Sequence, residues 1–203
     1  MKIVAIEGVN GAGKSAAGAF VQRALQASGQ PCLVADPAGF GLVGQLLRRH
    51  VVHSSFEQNP DLDAIVFAAM RTEGAREIMR AIAAAPSTVV LLERWSLALA
   101  AYGAADGARR QLIGELRAVL KSALTVDMTV LLDLNGPLAA VRLANDGEHN
   151  RFELRGSVYL DDVARLYRYF AGQEARTEII DASGVQTSTG ERLLAIVNAV
   201  RCE

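Results

Sequence analysis

The segment Gly8-Val9-Asn10-Gly11-Ala12-Gly13-Lys14-Ser15 has the residue types and the spacing needed to bind phosphate groups. It fits the pattern G-x-x-x-x-G-K-[ST] and lies between an apolar run and a helical pattern, which is the context that this motif requires. Its glycines let successive backbone N–H groups face phosphate oxygens, and the start of the helix adds partial positive charge. We expect Lys14 to reach the outer phosphates of a nucleoside triphosphate and Ser15 to bind Mg²⁺. The predicted nucleotide-binding residues are Gly8, Asn10, Gly11, Ala12, Gly13, Lys14, Ser15 and Ala16.

Two other interpretations fit part of the same segment. One is an ordinary glycine-rich turn that Ser15 caps, which leaves the lysine at its motif position unexplained. The other is a dinucleotide-binding fold, because Gly11-x-Gly13-x-x-Ala16 fits its glycine fingerprint and Asp36 could bind a ribose. Gly8 and Lys14 belong to the phosphate loop and not to that fingerprint, so the sequence favours the phosphate loop.

The elements that must position this loop alternate between short apolar runs and longer helical patterns. The apolar runs predict strands at 2–6, 32–35, 88–92, 129–132 and 178–180, and each is nearly continuous, as in parallel strands that are covered on both faces. Helices are predicted after Ser15 and at about 60–84, 108–123, 158–172 and 191–200. This alternation predicts an α/β fold: a doubly wound, five-stranded parallel sheet with helices on both faces.

Acidic side chains follow or end all five predicted strands. Ligands of open parallel sheets bind outside the carboxyl ends of the strands. A single acid at such a place is a solvated strand end, whereas a series of them predicts an edge built for polar ligands. The acids are Glu7, Asp36, Glu93, Asp133 and Asp181.

Length and composition limit the remaining possibilities. The chain has 203 residues, is 51% hydrophobic, and carries 21 basic against 22 acidic residues. This length supports one domain with a full core and excludes a disordered chain or a disulfide-stapled miniprotein. The near-zero net charge gives no reason to expect a nucleic-acid polymer or a membrane surface as partner. No apolar run reaches membrane-spanning length, and the two cysteines, far apart in sequence, are expected to be reduced thiols in a cytoplasmic protein.

Together with the phosphate loop, four further segments in the same order resemble the thymidylate kinases, a family of P-loop nucleoside monophosphate kinases. The segments are Asp36-Pro37-Ala38-Gly39 with Gly44 to Arg48, Phe67-Ala68-Ala69-Met70-Arg71, Glu93-Arg94-Trp95 with Ala101-Tyr102, and Arg142 through Arg151-Phe152-Glu153. The resemblance implies a single P-loop kinase domain over residues 1–203, with a small lid at approximately 142–156. It also implies transfer of the γ-phosphoryl group of ATP to a pyrimidine deoxynucleoside monophosphate, most simply dTMP, with Mg²⁺, and a homodimer.

The resemblance assigns roles to particular side chains. Phe67 is expected to stack on the base and Arg71 to donate to a base oxygen, which suits an aromatic face and a guanidinium. Arg94, with Arg48 or Arg49, is expected to hold the acceptor phosphate. The implied substrate-binding residues are Asp36, Arg48, Phe67, Arg71, Arg94, Tyr102 and Phe152. The implied metal ligands are Ser15 and Glu93, and the implied catalytic residues are Lys14, Glu93, Arg94, Arg142 and Arg151.

The chain also departs from the family pattern. Asn10 and Glu93 each replace an aspartate of the family, and Ala98, Leu99 and Gly103 replace polar positions that help to read the base. Asp146 stands where a lid arginine is found, so the catalytic arginine must come from Arg142, Arg151 or Arg155. Two alternatives therefore stay open: a deoxynucleoside kinase that phosphorylates a nucleoside 5′-hydroxyl with Glu93 as base, and a nucleotide-binding regulatory homologue without turnover.

Overall fold

The apolar runs form the strands of a five-stranded, wholly parallel sheet. The computed structural model describes residues 1–53, 59–144, 152 and 155–202. The strands are β1 Lys2–Glu7, β2 Cys32–Ala35, β3 Val89–Glu93, β4 Met128–Asp133 and β5 Thr177–Asp181. Their order across the sheet is β2-β3-β1-β4-β5, so β1 is the central strand and pairs with both β3 and β4. The predicted α/β fold with a five-stranded parallel sheet is confirmed.

Helices cover both faces of the sheet. They are α1 Lys14–Ala27, α2 Gly41–His53, α3 Pro60–Ala81, α4 Ser96–Asp106, α5 Arg110–Ala123, α6 Gly136–Leu143, α7 Gly156–Ala171 and α8 Gln186–Cys202. Alternate residues of β1 face opposite sides, as a strand requires. Val4 and Ile6 pack into one core with α1, α7 and α8, whereas Ile3 and Ala5 pack into a second core with α3 and α5. In the part of the chain that the structure describes, no helix combines the length and apolar character needed to span a membrane.

Three of these helices were not predicted, each for a local reason. Helix α4 is almost entirely apolar and its residues 96–101 are all buried, so it lacks the polar face that marks an amphipathic helix. Helix α2 begins at Gly41 and contains Gly44, and glycine is a poor helix former. Helix α6 has only eight residues.

Helix α3 lies very close to the loop that follows β2. This loop contains a short 3₁₀ helix, Pro37–Gly39, whose first turn Asp36 caps by accepting a bond from the Ala38 N–H. A Cβ added at Gly74 of α3 would lie 1.8 Å from the carbonyl oxygen of Pro37. The absence of a side chain at Gly74 therefore lets α3 and the Asp36 loop approach each other.

A Gly74→Ala variant is expected to lower the free energy of unfolding by about 1–3 kcal/mol, because the added methyl group forces the two segments apart. Gly114→Ala in α5 is the matched control, since nothing lies within 4 Å of the Cβ it would add. That control is expected to gain up to about 1 kcal/mol from helix propensity alone. Urea unfolding of both variants measures the difference, and equal stability of the two would contradict the close contact.

Candidate active site

The phosphate loop links β1 to α1 and carries its lysine inward. Gly11 and Gly13 have φ angles of 81° and 88°, a left-handed conformation that glycine adopts readily. Lys14 is buried, and its Nζ donates to the carbonyl oxygens of Gly8, at 2.9 Å, and Val9, at 2.7 Å. Burial lowers the pKa of Lys14 well below its ordinary value, because water no longer solvates the ammonium group. The loop thus holds a poorly solvated cation where phosphate oxygens would bind.

Two oxygen-bearing side chains meet beside this loop. The Ser15 hydroxyl donates to Glu93 Oε2 at 2.8 Å, which joins the start of α1 to the end of β3. Hydroxyl and carboxylate oxygens are the ligands that Mg²⁺ prefers, and this ion often takes its remaining ligands from substrate phosphates and water. The described residues contain no cluster of three or more His, Cys, Asp or Glu that would form an all-protein metal site. Ser15 and Glu93 offer two oxygen ligands of the kind that Mg²⁺ binds.

The side chain of Arg94 contacts both the phosphate loop and α4. Its guanidinium donates to Asn10 Oδ1 and, at 3.4 Å, to the carbonyl oxygen of Gly8, and it stacks 5.4 Å from the centre of the Tyr102 ring. The Tyr102 hydroxyl in turn donates to Asn10 Oδ1 at 2.7 Å and accepts from the Asn10 backbone N–H at 3.1 Å. These contacts fix the phosphate loop against α4.

One cavity lies over the phosphate loop. Its walls are Asn10, Gly11, Gly13, Lys14, Ser15, Ala16, Asp36, Arg48, Glu93, Arg94, Arg142, Leu143 and Gln186. The second cavity adjoins it between α3 and α4. Its walls are Asn10, Asp36, Ala38, Arg48, Pro60, Asp63, Ala64, Phe67, Arg71, Arg94, Ala98, Leu99, Tyr102, Gly103, Asp106 and Phe152. Four predicted site residues, Asn10, Asp36, Arg48 and Arg94, line both cavities.

The second cavity combines aromatic faces with a buried guanidinium. Phe67 and Arg71 lie one turn apart on α3, and the guanidinium is 5.4 Å from the centre of the Phe67 ring. Phe152 lies on the other side of the cavity. The centre of its ring is 6.0 Å from the centre of the Phe67 ring and 5.6 Å from the centre of the Tyr102 ring. Only 5% of Arg71 is exposed, and its Nε has no hydrogen-bond partner in the described part of the chain. A guanidinium remains protonated at all ordinary pH values, so the Arg71 side chain, which lines this cavity, can donate to a ligand carbonyl.

The other predicted basic residues differ in their surroundings. Arg48 forms an ion pair with Asp36 at the edge shared by both cavities. Arg142 lines the loop cavity, but its Nη2 donates to the carbonyl oxygens of residues 182–184 at 2.9–3.3 Å. Arg155 forms an ion pair with Asp106 and stacks 3.7 Å from the centre of the Tyr159 ring. Arg151, most of the predicted lid and the side chain of Arg49 lie outside the residues that the structure describes.

The structure also corrects one prediction and adds residues that the sequence did not single out. Glu7 was predicted to contribute to the polar edge, but this is wrong because Glu7 is fully buried. Gln186, Asp63 and Asp106 line the two cavities without having been predicted. Gln186 follows the loop after β5, so the rule that ligands bind at strand ends could have found it. Asp63 and Asp106 do not follow a strand, so this rule does not point to them.

Comparisons with known proteins show the family of this chain. The family model described as Thymidylate kinase matches residues 6–189. The thymidylate kinase of Rhizorhabdus wittichii is 30% identical over 197 residues, which cover 95% of each chain. That of Nitrosomonas europaea is 28% identical over 205 residues, covering 100% of this chain and 91% of the relative. That of Rhodopirellula baltica is 28% identical over 197 residues, covering 96% of this chain and 79% of the relative. The chain therefore belongs to the thymidylate kinase family.

Proposed function

We propose that this protein transfers the γ-phosphoryl group of ATP to dTMP, giving ADP and dTDP. The observation that carries the proposal is the adjacency of two different cavities that share Arg94. One has a phosphate loop with a buried lysine, which suits a nucleoside triphosphate. The other has an aromatic wall and a buried guanidinium, which suits a base with a carbonyl group. Membership of the thymidylate kinase family supports the same pair of substrates.

The donor would bind over the phosphate loop. Its β- and γ-phosphates would face Lys14 and the backbone N–H groups at the start of α1, which together offset their negative charge. Ser15 and Glu93 would hold Mg²⁺, which when bound neutralises charge that develops on the phosphates. Gln186 and Leu143 also line this cavity.

The acceptor would bind with its phosphate at the junction of the cavities. Arg94, supported by Arg48, would hold that phosphate so that one of its oxygens faces the γ-phosphorus of ATP. A new P–O bond forms to this oxygen while the bond between the γ-phosphorus and the leaving ADP oxygen breaks. Phosphoryl transfer depends mostly on such positioning and on charge neutralisation. Arg142 and Arg151 are proposed to add positive charge during transfer, as the family resemblance implies.

The base would lie against Phe67, with Arg71 at its edge. We therefore expect Phe67→Ala to raise the KM for dTMP by about 10–100-fold, because stacking of one base on an aromatic ring contributes about 1–3 kcal/mol. The KM for ATP is expected to stay within about twofold, since ATP binds in the other cavity. Steady-state kinetics with each substrate varied in turn measures both constants.

Phe170→Ala is the matched control for this variant. Phe170 is a half-buried residue of α7 that packs under Arg117, away from both cavities. It is expected to lower stability without a selective change in the KM for dTMP. If Phe67→Ala raised the KM values for ATP and dTMP equally, Phe67 would not be the base-stacking residue.

A coupled assay of ADP release tests the proposed function. The wild-type protein is given ATP and Mg²⁺ with dTMP, with each of the other common nucleoside monophosphates, or with thymidine. Turnover of dTMP, and its loss when a chelator removes Mg²⁺, is the expected result. Turnover of thymidine alone would identify a deoxynucleoside kinase, and ATP binding without turnover would identify a regulatory homologue; either outcome overturns the proposal.

We also propose that the protein is a cytoplasmic homodimer. The family resemblance supports a dimer, and helix α2 exposes the large apolar side chains of Leu42, Val43 and Leu46, which association with a second copy could cover. The two free thiols, Cys32 and Cys202, fit a reducing compartment.

A further inference from the structure

The turn that presents Arg94 has an unfavourable backbone conformation. Arg94 has a φ of 69°, and within the described residues it is the only residue other than glycine with a positive φ. This left-handed conformation brings Cβ too close to the following carbonyl oxygen and is unfavourable for any residue that has a side chain. The surrounding structure must therefore hold the turn between β3 and α4 in place.

Glu7, at the end of the central strand, makes the contacts that hold this turn. Its Oε1 accepts from the backbone N–H of Trp95 at 2.8 Å and of Leu97 at 3.0 Å. These N–H groups stand at the start of α4, where a helix leaves donors without backbone partners and favours a negative charge. The neighbouring residue of β1, Ile6, accepts from the Arg94 N–H at 3.0 Å. The end of β1 thus binds the backbone at and just after Arg94.

A second contact connects Glu7 to the guanidinium of the same arginine. The Tyr167 hydroxyl donates to Glu7 Oε2 at 3.5 Å and accepts from Arg94 Nη1 at 3.5 Å. Tyr167 is almost fully buried, and burial raises its pKa well above the ordinary value, so the phenol keeps the proton that it donates. Glu7 is therefore linked to both the backbone and the side chain of Arg94.

The carboxyl group of Glu7 is fully buried, whereas the other strand-end acids are half-buried or, in the case of Asp181, exposed. Burial raises its pKa, although the N–H groups of α4 and the nearby guanidiniums of Arg71 and Arg94 act in the opposite direction. In either protonation state Oε1 retains lone pairs for the two backbone bonds. An uncharged glutamine can make the same two bonds, which provides a conservative variant.

We propose that Glu7 is a positioning residue for the acceptor phosphate: it holds the β3–α4 turn, and through Tyr167 the guanidinium, so that Arg94 faces the junction of the two cavities. This inference rests on the proposed function, because it assumes that Arg94 binds the phosphate of dTMP. It goes further in assigning a selective effect on acceptor binding to a buried residue that touches neither substrate. A merely structural role would weaken the fold without distinguishing dTMP from ATP.

Equilibrium binding of dTMP and of ATP to wild-type, Glu7→Ala, Glu7→Gln and Asp127→Ala proteins tests this inference. Asp127 is the matched control, because its Oδ2 accepts the Ile3 N–H at 2.8 Å near the other end of β1. Glu7→Ala is expected to weaken dTMP binding by about tenfold or more and to leave ATP binding within about threefold. Glu7→Gln is expected to restore most of the dTMP affinity, and Asp127→Ala to change neither affinity.

Several outcomes would overturn the inference. One is a folded Glu7→Ala protein that binds dTMP as the wild type does, and another is an equal loss of dTMP and ATP binding. If Glu7→Ala does not fold, Tyr167→Phe removes only the hydroxyl link and is expected to weaken dTMP binding alone; an unchanged dTMP affinity would then overturn the inference. A wild-type protein that binds no dTMP would instead overturn the proposed function, and this inference with it.

Discussion

Lys14→Met is expected to lower kcat by about 10³-fold while leaving the fold intact, because removing one preorganised positive donor from a transition state has effects of this order. The ammonium group of Lys14 lies inside the phosphate loop, held by the carbonyl oxygens of Gly8 and Val9. Methionine keeps most of the apolar side chain but supplies no charge to the phosphates. Steady-state kinetics with saturating ATP and dTMP measures the loss.

Lys2→Met is the matched control for this prediction. Lys2 pairs with Asp127 at 3.7 Å near the start of β1, away from both cavities. Its loss is expected to leave kcat within about twofold of the wild-type value, as surface ion pairs contribute little. A Lys14→Met protein with kcat within tenfold of the control would contradict the role assigned to the phosphate loop.

Arg94→Gly is expected to lower kcat/KM for dTMP by about 10³-fold, since a guanidinium that binds a phosphate through charge-assisted bonds acts on both binding and transfer. Glycine suits this position because it adopts the φ of 69° without strain, so the turn itself is expected to survive. The affinity for ATP is expected to change much less, because Lys14 and the loop N–H groups remain. Steady-state kinetics and direct ATP binding measure the two effects.

Arg165→Ala controls for the loss of an arginine. Arg165 lies on α7, is largely exposed and pairs with Asp162 on the same helix. It is expected to leave kcat/KM for dTMP unchanged. An Arg94→Gly protein that lost ATP affinity as strongly as it lost kcat/KM for dTMP would contradict a role of Arg94 that is specific to the acceptor.

The sheet was predictable because each of its strands is a short apolar run, and burial on both faces of a parallel sheet produces that pattern directly. The observed strands differ from the predicted runs by one residue at most at each end. Helix α4, by contrast, was not predicted, because a helix needs a polar face to be recognised as amphipathic. Its sequence is apolar around the whole circumference, so nothing in it marks a helical face.

Parts of the candidate site that are contiguous in sequence could be predicted, whereas contacts between distant segments could not. The phosphate loop is contiguous, so its motif could be read from eight successive residues. The contact between Glu7 and the start of α4 spans 88 residues and exists only because β1 lies beside β3. The contact of Arg155 with Asp106 likewise depends on the packing of α7 against α4. The single-domain organisation, the lid at 142–156 and the catalytic role of Arg151 stay predictions.

Product analysis of a reaction with dTMP and ATP labelled at the γ-phosphorus tests the central claim most directly. Separation of the nucleotides by anion-exchange chromatography shows which product receives the label. The proposed function predicts label in the β-phosphate of dTDP, with ADP formed in equal amount and label transferred about 10³-fold more slowly by Lys14→Met. Label that enters only inorganic phosphate, or that stays in ATP, would contradict it.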